Sequence, residues 1–380
     1  MLIVHRLASY EDCYIACLQH DVDLHPFVDR DEIRLLKLHP PLYATSPIIC
    51  TLVHARLSET PLYEALSYVW GTEKNTHSLT LNGESHCVGK NLFEALDALH
   101  DGKKQFLWVD ALCINQSDPR ERGHQVAQMG RIYSHASMVH VWLGPSVPQT
   151  ALAFERLNNP SFIQFNRSFS PQEFSRLCTT EYLERLWIIQ EIALATKIRV
   201  NCGHYSAPWE SFASMVLENP WALDSIRDSP VTKLCRLRRA MIMTKGTSAM
   251  KMSIFMLAET HAHAKCADNR DKIYGLQGFA PSCCRSAISI DYICSAYELC
   301  QRILWHEITA HRMADSITNH AVARAGLWGL GHSIRLHKML VGGALKQTTG
   351  TSTPFEAGYM SAAMVPYSDL WKASSRVQAI

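Results

Sequence analysis

The sequence predicts an α/β fold built on a parallel sheet, and three observations predict it. Leu107, Trp108 and Val109 form a short apolar run that stops at Asp110, the pattern of a buried strand with a carboxylate at its C-terminal end. Asp118, Pro119 and Glu121 have the pattern of an N-cap, a proline in the first turn and a capping box. Val126, Met129, Ile132, Tyr133 and Ala136 then recur at helical spacing. Residues 138–143 alternate into a second strand, closed by Gly144-Pro145. Strand, helix and strand in this span are the size of one βαβ unit, and such units build parallel sheets.

The elements follow in order. Residues 33–38 read as an edge strand leading into His39-Pro40-Pro41, and 48–57 as a second strand broken at Thr60-Pro61. Residues 63–70 give a third, ending at Gly71. Residues 78–81 and 86–88 flank Asn82-Gly83, the signal of a two-residue hairpin turn. Asn91 with Glu94 has the spacing of another helix cap, and Leu92, Leu96 and Leu99 carry that helix's buried face. Residues 145–171 are irregular. Residues 182–195 predict a helix with Leu183, Leu186, Trp187, Gln190 and Leu194 on one broad face and Glu181 paired with Arg185. Residues 198–203 read as a strand stopped by glycine, and 204–310 as mainly helical.

Composition narrows the function classes. The 380 residues are 47% hydrophobic and 19% charged, enough for one large core or two modest ones. The formal charge of +2 gives no whole-chain field for nucleic acid or an anionic membrane. Arg236, Arg238 and Arg239 read as a solvated helix face. No window approaches ~20 uninterrupted apolar residues, so no membrane span is expected. The N-terminus lacks the pattern of a signal peptide, and thirteen cysteines without a framework read as reduced thiols of an intracellular protein.

In an open parallel sheet, ligands sit outside the carboxyl ends of the strands. Here those ends are Trp70-Gly71, Asp110 and Leu143-Gly144. Asp110, Asn115 and Gln116 supply polar groups at the middle one, and Glu191, one turn after Trp187, can reach the same rim. A carboxylate beside an indole suits glycosidic-bond cleavage, where it stabilises an oxocarbenium-like centre and positions water. Spacing alone favours a surface helix residue for Glu191, and Asp110 reads equally well as a cap or a hydrogen-bond partner of the following loop. Cys113, with His124 or His135 as base, is a thiol-nucleophile candidate, but Leu112 and Ile114 place it in an apolar setting that raises a thiol pKa. His261, His263 and Cys266 lack a fourth metal ligand at a recognisable spacing, and Cys283-Cys284 is no better placed. Gly326, Gly329 and Gly331 are in the wrong order for a dinucleotide fingerprint, and no phosphate loop of the Walker type is present, which excludes kinase and Rossmann-dehydrogenase readings.

Tyr63-Glu64-Ala65-Leu66-Ser67-Tyr68-Val69-Trp70-Gly71 resembles the opening motif of the heterokaryon incompatibility (HET) domain of filamentous fungi. Residues 107–116, followed by Glu121-Arg122, Gln125-Val126, Met129 and Ile132-Tyr133, resemble its second block. Leu186-Trp187-Ile188-Ile189-Gln190-Glu191 is similar to its Trp-x-x-Gln-Glu block. Residues 270–276 with Asp291-Tyr292 resemble a segment that often follows the domain. Two departures stand out: the Leu-Pro-Ser-Trp-Val-Pro-like motif expected downstream is lacking, and the tail from about Val322 matches nothing in the family.

The resemblance implies a flavodoxin-like or TIR-like parallel sheet core with flanking helices and a mainly helical C-terminal region. The implied organisation is an N-terminal extension (1–45), the HET domain (46–203), a helical HET-associated region (204–310) and a divergent tail expected to be disordered (311–380). It implies a role in nonself recognition and programmed cell death, with incompatibility or death-pathway proteins as partners, or self-association, and a cytoplasmic location. Many TIR domains hydrolyse NAD with a helix glutamate four residues after a tryptophan, the spacing of Trp187 and Glu191. On that analogy Glu191 and Asp110 are the catalytic candidates and Gly71, Asn115, Gln116 and Trp187 the NAD-binding ones. NAD would be a substrate, with no tightly bound cofactor and no metal. The alternative is a non-enzymatic signalling module in which Glu191 pairs with Arg185 or Arg131.

Overall fold

Continuous apolar runs become the centre of one sheet. The computed structural model describes residues 31–41, 43, 46–71, 76–100, 102, 106–159, 171–218, 226, 229–243, 252–312, 336 and 338–340. The extreme N-terminus and most of the 311–380 tail lie outside the described residues.

The strands are β1 (Glu32–Leu38), β2 (Ile49–Arg56), β3 (Glu64–Ser67), β4 (His77–Leu81), β5 (Glu84–Val88), β6 (Phe106–Trp108), β7 (Val139–Trp142), β8 (Ile198–Cys202) and β9 (Tyr205–Pro208). They form one nine-stranded sheet in the order β5-β4-β2-β1-β6-β3-β7-β8-β9. The centre, β6-β3-β7-β8, is parallel. β1 pairs antiparallel with both β2 and β6, and hairpins close both flanks. The sheet is therefore mixed, which corrects the expectation of a parallel one. β1 is also interior and almost wholly buried, not an edge strand. Its apolar run Ile33, Leu35, Leu36 and Leu38 suits a strand covered on both faces.

The strands at 106–108 and 139–142 are parallel through β3, which lies between them. The chain thus leaves β3, returns on one side as β6, and crosses to the other side as β7. The Asn82-Gly83 turn forms as the sequence predicts: both residues have positive φ (54° and 90°), the conformation a tight hairpin requires.

The helices are α1 (Lys90–Leu99), α2 (Asp110–Cys113), α3 (Pro119–His135), α4 (Thr150–Asn158), α5 (Pro171–Cys178), α6 (Ile188–Ala193), α7 (Trp209–Glu218), α8 (Pro230–Met243), α9 (Ile254–Thr260), α10 (Asp271–Tyr274), α11 (Ser282–Ala287) and α12 (Ala296–His306). α4 falls in the stretch read as irregular. Asp118 caps α3 by accepting from the Arg120 amide at 2.8 Å. Glu121 does not close the capping box: it accepts from the Asn115 amide at 2.5 Å and pairs with the buried Arg34 of β1. Asn91 is likewise no cap. It donates to Val69 O (2.6 Å) and accepts from Trp142 Nε1 (2.8 Å), tying α1 to the ends of β3 and β7.

The helix expected over 182–195 is broken. A 3-10 turn, Glu181–Glu184, is followed by extended Arg185 and then by the six-residue α6. The Lys265 amide donates to Glu184 O (2.7 Å) and the Leu186 amide to Lys265 O (2.8 Å), a strand-like bridge that interrupts the helix. The apolar period at 183, 186 and 189 serves either geometry, so tertiary pairing decides. With the chain extended at Arg185, a Glu181–Arg185 pair one helical turn apart cannot form.

Candidate functional site

β3 ends at Ser67 and β6 ends two residues before Asp110, so their carboxyl ends open onto one spot beneath α6. β3 is also where the parallel strand order reverses, the position at which such sheets place ligands. Ser67 Oγ lies 2.6 Å from Tyr182 Oη and donates to Glu191 Oε2. Since that carboxylate takes the serine's hydrogen, Tyr182 supplies its own to Ser67, and the three groups form a chain ending on Glu191. Tyr133 of α3 donates to Leu66 O at 3.1 Å, lining the same spot.

Asp110 sits at the rim. Its Oδ2 accepts from Trp70 Nε1 (2.9 Å) and its Oδ1 from the Ala111 amide (2.8 Å). The Trp70 ring is 45% exposed, whereas Glu191 is 1% exposed. Arg185, freed from the helix by the break, donates to Tyr68 O and is near enough to feel the charge of both acids.

Electrostatics follow from this placement. Burial pushes the Glu191 carboxyl up to about 7; Arg185 and the Ser67 hydroxyl oppose the shift, and Asp110 adds to it. Burial also raises Asp110, against Arg185 and the Trp70 indole. Burial pulls the Arg185 guanidinium down, and the charges of Glu191 and Asp110 more than offset it. One cation facing two buried acids neutralises one of them, so the other favours its protonated form near neutral pH. The spot therefore holds a carboxyl poised to exchange a proton, one fixed positive charge, and hydroxyl donors.

Of the residues singled out from sequence, Glu191 and Asp110 come together. Gly71, with φ of 77°, turns the chain directly after Trp70. Asn115 accepts from the Ser117 amide (3.0 Å) and Gln116 donates to Asp110 O (3.0 Å), so both side chains build the α2–α3 turn. Trp187 points elsewhere: its Nε1 lies 3.3 Å from Asp271 Oδ2. The indole at the rim is that of Trp70. Gln190 turns to the same side as Trp187, donating to Gly275 O at 2.8 Å. The Trp-x-x-Gln-Glu block thus faces two ways, with Trp187 and Gln190 on the 271–278 segment and Glu191 on the sheet. Ser67, Tyr133 and Tyr182 escaped the sequence reading because each reads as ordinary core, Ser67 within an apolar run, Tyr133 on the apolar face of α3 and Tyr182 beside Leu183; alternation along 63–71 is the signal that could have marked Ser67.

Other candidates resolve differently. Cys113 is fully buried, its thiol pushed up to about 12, mainly by burial, and its Sγ lies 3.4 Å from the Val109 amide. A thiol held neutral in this way is no nucleophile. Arg131 is exposed and offers Glu191 no pairing. Arg238 is 1% exposed and donates to Ile192 O (2.7 Å) and Ala195 O (2.6 Å), capping the C-terminus of α6, so of the expected solvated basic face Arg236 and Arg239 are exposed and Arg238 is not. No helix among the described residues is long and apolar enough to cross a membrane.

A family model described as Heterokaryon incompatibility protein (HET) matches residues 63–191. "Heterokaryon incompatibility protein 6, OR allele" of Neurospora crassa is 30% identical over 225 residues, covering 45% of this chain and 33% of that protein. The match thus spans about a third of the length of this curated relative. No solved structure matches the chain. The matched span runs from Tyr63, just before β3, to Glu191, the acid beneath which β3 ends, and its blocks converge at one place in the fold: over residues 63–191 the chain matches the HET domain.

Proposed function

We propose that this chain acts in heterokaryon incompatibility, as a cell-death effector that cleaves the bond between nicotinamide and ribose in NAD. One observation carries the reading: Glu191, with its carboxyl near 7, lies with Asp110, Arg185 and Ser67 where β3 and β6 end. The parallel strands, taken in chain order, run 2-1-3-4 across the sheet, as in flavodoxin-like folds, and this supports the analogy with TIR domains.

The chemistry asks little of the protein. Nicotinamide is a cation in NAD and leaves neutral, taking the electron pair of the glycosidic bond, so no strong general acid is needed. The ribose left behind carries oxocarbenium charge, which an ionised Glu191 stabilises. Water then adds to that carbon, and its proton passes to the Glu191 carboxylate, whose pKa suits the exchange at neutral pH. Ser67 and Tyr182 hold the carboxylate in place, and Arg185 offers charge to the pyrophosphate. Asp110 and Trp70 form the entrance, and ribose reaches the buried Glu191 when the covering side chains part.

A second reading rests on the 1% exposure of Glu191: the cluster is a structural ion network, and the domain is a non-enzymatic module that assembles with other death-pathway proteins or with itself. Cellular NAD after induced expression separates the two. The catalytic reading requires NAD loss and growth arrest with the native chain and neither with a folded Glu191→Ala variant. Equal killing by both with NAD intact transfers the function to the module.

A further inference from the structure

Outside the HET domain, Cys283 and Cys284 of α11 meet His306 at the end of α12 and His311 just beyond it. We propose that these four side chains form a tetrahedral Zn²⁺ site. Their ligand atoms all lie within 4.8 Å of one another. His311 Nε2 is 3.2 Å from Cys284 Sγ and 3.6 Å from Cys283 Sγ. Bonds of about 2.3 Å to sulfur and 2.0–2.1 Å to nitrogen at a tetrahedral angle place S and N about 3.5 Å apart. The sulfurs and the imidazole therefore already stand at the separation of ligands sharing one zinc ion.

Two further features are explained by a metal. His306 is 8% exposed, and its Nε2 is buried without a hydrogen-bond partner among the described residues. A buried ring nitrogen left unmatched is costly, and a cation satisfies it. The backbone is also special here: α12 passes into a π-helix over Glu307–Arg312. Residues five apart point well away from each other on an α-helix. A π-turn closes at i→i+5 and stacks them, which brings the rings of His306 and His311 together edge-on at 5.1 Å.

The donor set selects the metal. Two thiolates and two imidazoles in a tetrahedron suit zinc, and the two histidines have a spacing familiar from structural zinc sites, although the adjacent cysteines do not. On binding, each thiol loses a proton to solvent, and the two thiolates balance the charge of the ion. Glu307 is 4% exposed, with Oε2 buried and unpartnered among the described residues, and adds a carboxylate beside the site. All four protein positions are filled, so the ion would be structural, clamping α11 to the end of α12.

The test uses the full chain, purified without a polyhistidine tag or chelator. Elemental analysis should find about one zinc per chain, and exchange with Co²⁺ should give the visible bands of a tetrahedral ion with thiolate charge transfer. Cys283→Ser, at an exposed position, and His311→Ala should each weaken Co²⁺ binding roughly tenfold or more, while Cys87→Ser, on β5, leaves it unchanged. A folded native chain without zinc and without the thiolate–cobalt band overturns the proposal, whatever the variants do. So does a Cys283–Cys284 disulfide in the metal-free native protein, or a cobalt spectrum that both variants retain.

Discussion

Ser67, the last residue of β3, donates its hydroxyl hydrogen to the carboxylate of Glu191, 124 positions later in the chain. The bond fixes a short helix to the rim of the sheet and joins the first and last blocks of the HET domain. It also opposes the effect of burial on the acid. In a Ser67→Ala variant the Glu191 carboxyl should move further up and Tyr182 should lose its acceptor. Carboxyl stretching bands in infrared difference spectra, followed across pH, should show the Glu191 titration displaced to higher pH.

Glu191 makes stability depend on pH in a defined direction. Its carboxyl rises from 4.5 to about 7 on folding, so the folded chain binds the proton more tightly than the unfolded chain. Its contribution is complete below about 4.5 and is lost as pH rises through about 7. The size is roughly 3 kcal/mol for a fully buried acid. Glu191→Gln keeps the shape and an acceptor for Ser67 but cannot ionise. Urea titrations should give a variant more stable than the native chain at pH above 7 and similar to it near 4.5. A constant difference across that range would mean that Glu191 does not titrate with the shift described.

The sheet was largely legible in the sequence because its central strands are covered on both faces and therefore read as short apolar runs. β6 and β7 are cases in point, while the hairpin at the edge of the sheet was marked by its Asn82-Gly83 turn. What periodicity could not show is partner choice. The insertion of β3 between β6 and β7 and the interior place of β1 depend on contacts between distant residues. The break at Arg185 depends on Lys265, 80 positions away, through a bridge that no local pattern announces. Of the candidate site, the sequence pointed to two acids, Asp110 by its place at a strand end and Glu191 by its spacing from Trp187 on the analogy with TIR domains. Its serine and tyrosines went unmarked, since each resembles ordinary core.

Arg238 should matter to stability more than its place in a run of arginines suggests. Its buried guanidinium satisfies Ile192 O and Ala195 O at the end of α6. Arg238→Ala leaves these carbonyls unpaired and should cost roughly 3 kcal/mol. Arg236→Ala, its neighbour in sequence, should cost within about 0.5 kcal/mol as a surface change. Chemical denaturation of the two variants makes the comparison.

Gly278 has no room for a methyl group. A Cβ there would clash with Gln190 Oε1 and lie 3.0 Å from Leu194 Cδ1. Gly278→Ala should destabilise the chain by about 1–3 kcal/mol through overpacking. In a Gln190→Ala background the same change should cost less, because the shorter side chain vacates the contact. A double-mutant cycle tests it, and strict additivity would contradict the packing described.

The most direct test of the catalytic account is nicotinamide release from NAD by the purified full chain, followed by chromatography, beside the Glu191→Gln variant. The account predicts release of nicotinamide and ADP-ribose by the native chain and its loss in the variant, with the variant's fold intact by circular dichroism. Release at the same rate by both proteins would contradict the role given to Glu191. No release by the native chain, in an assay with growth arrest in cells established and cellular NAD unchanged, would contradict catalysis itself and leave the domain as an assembly module.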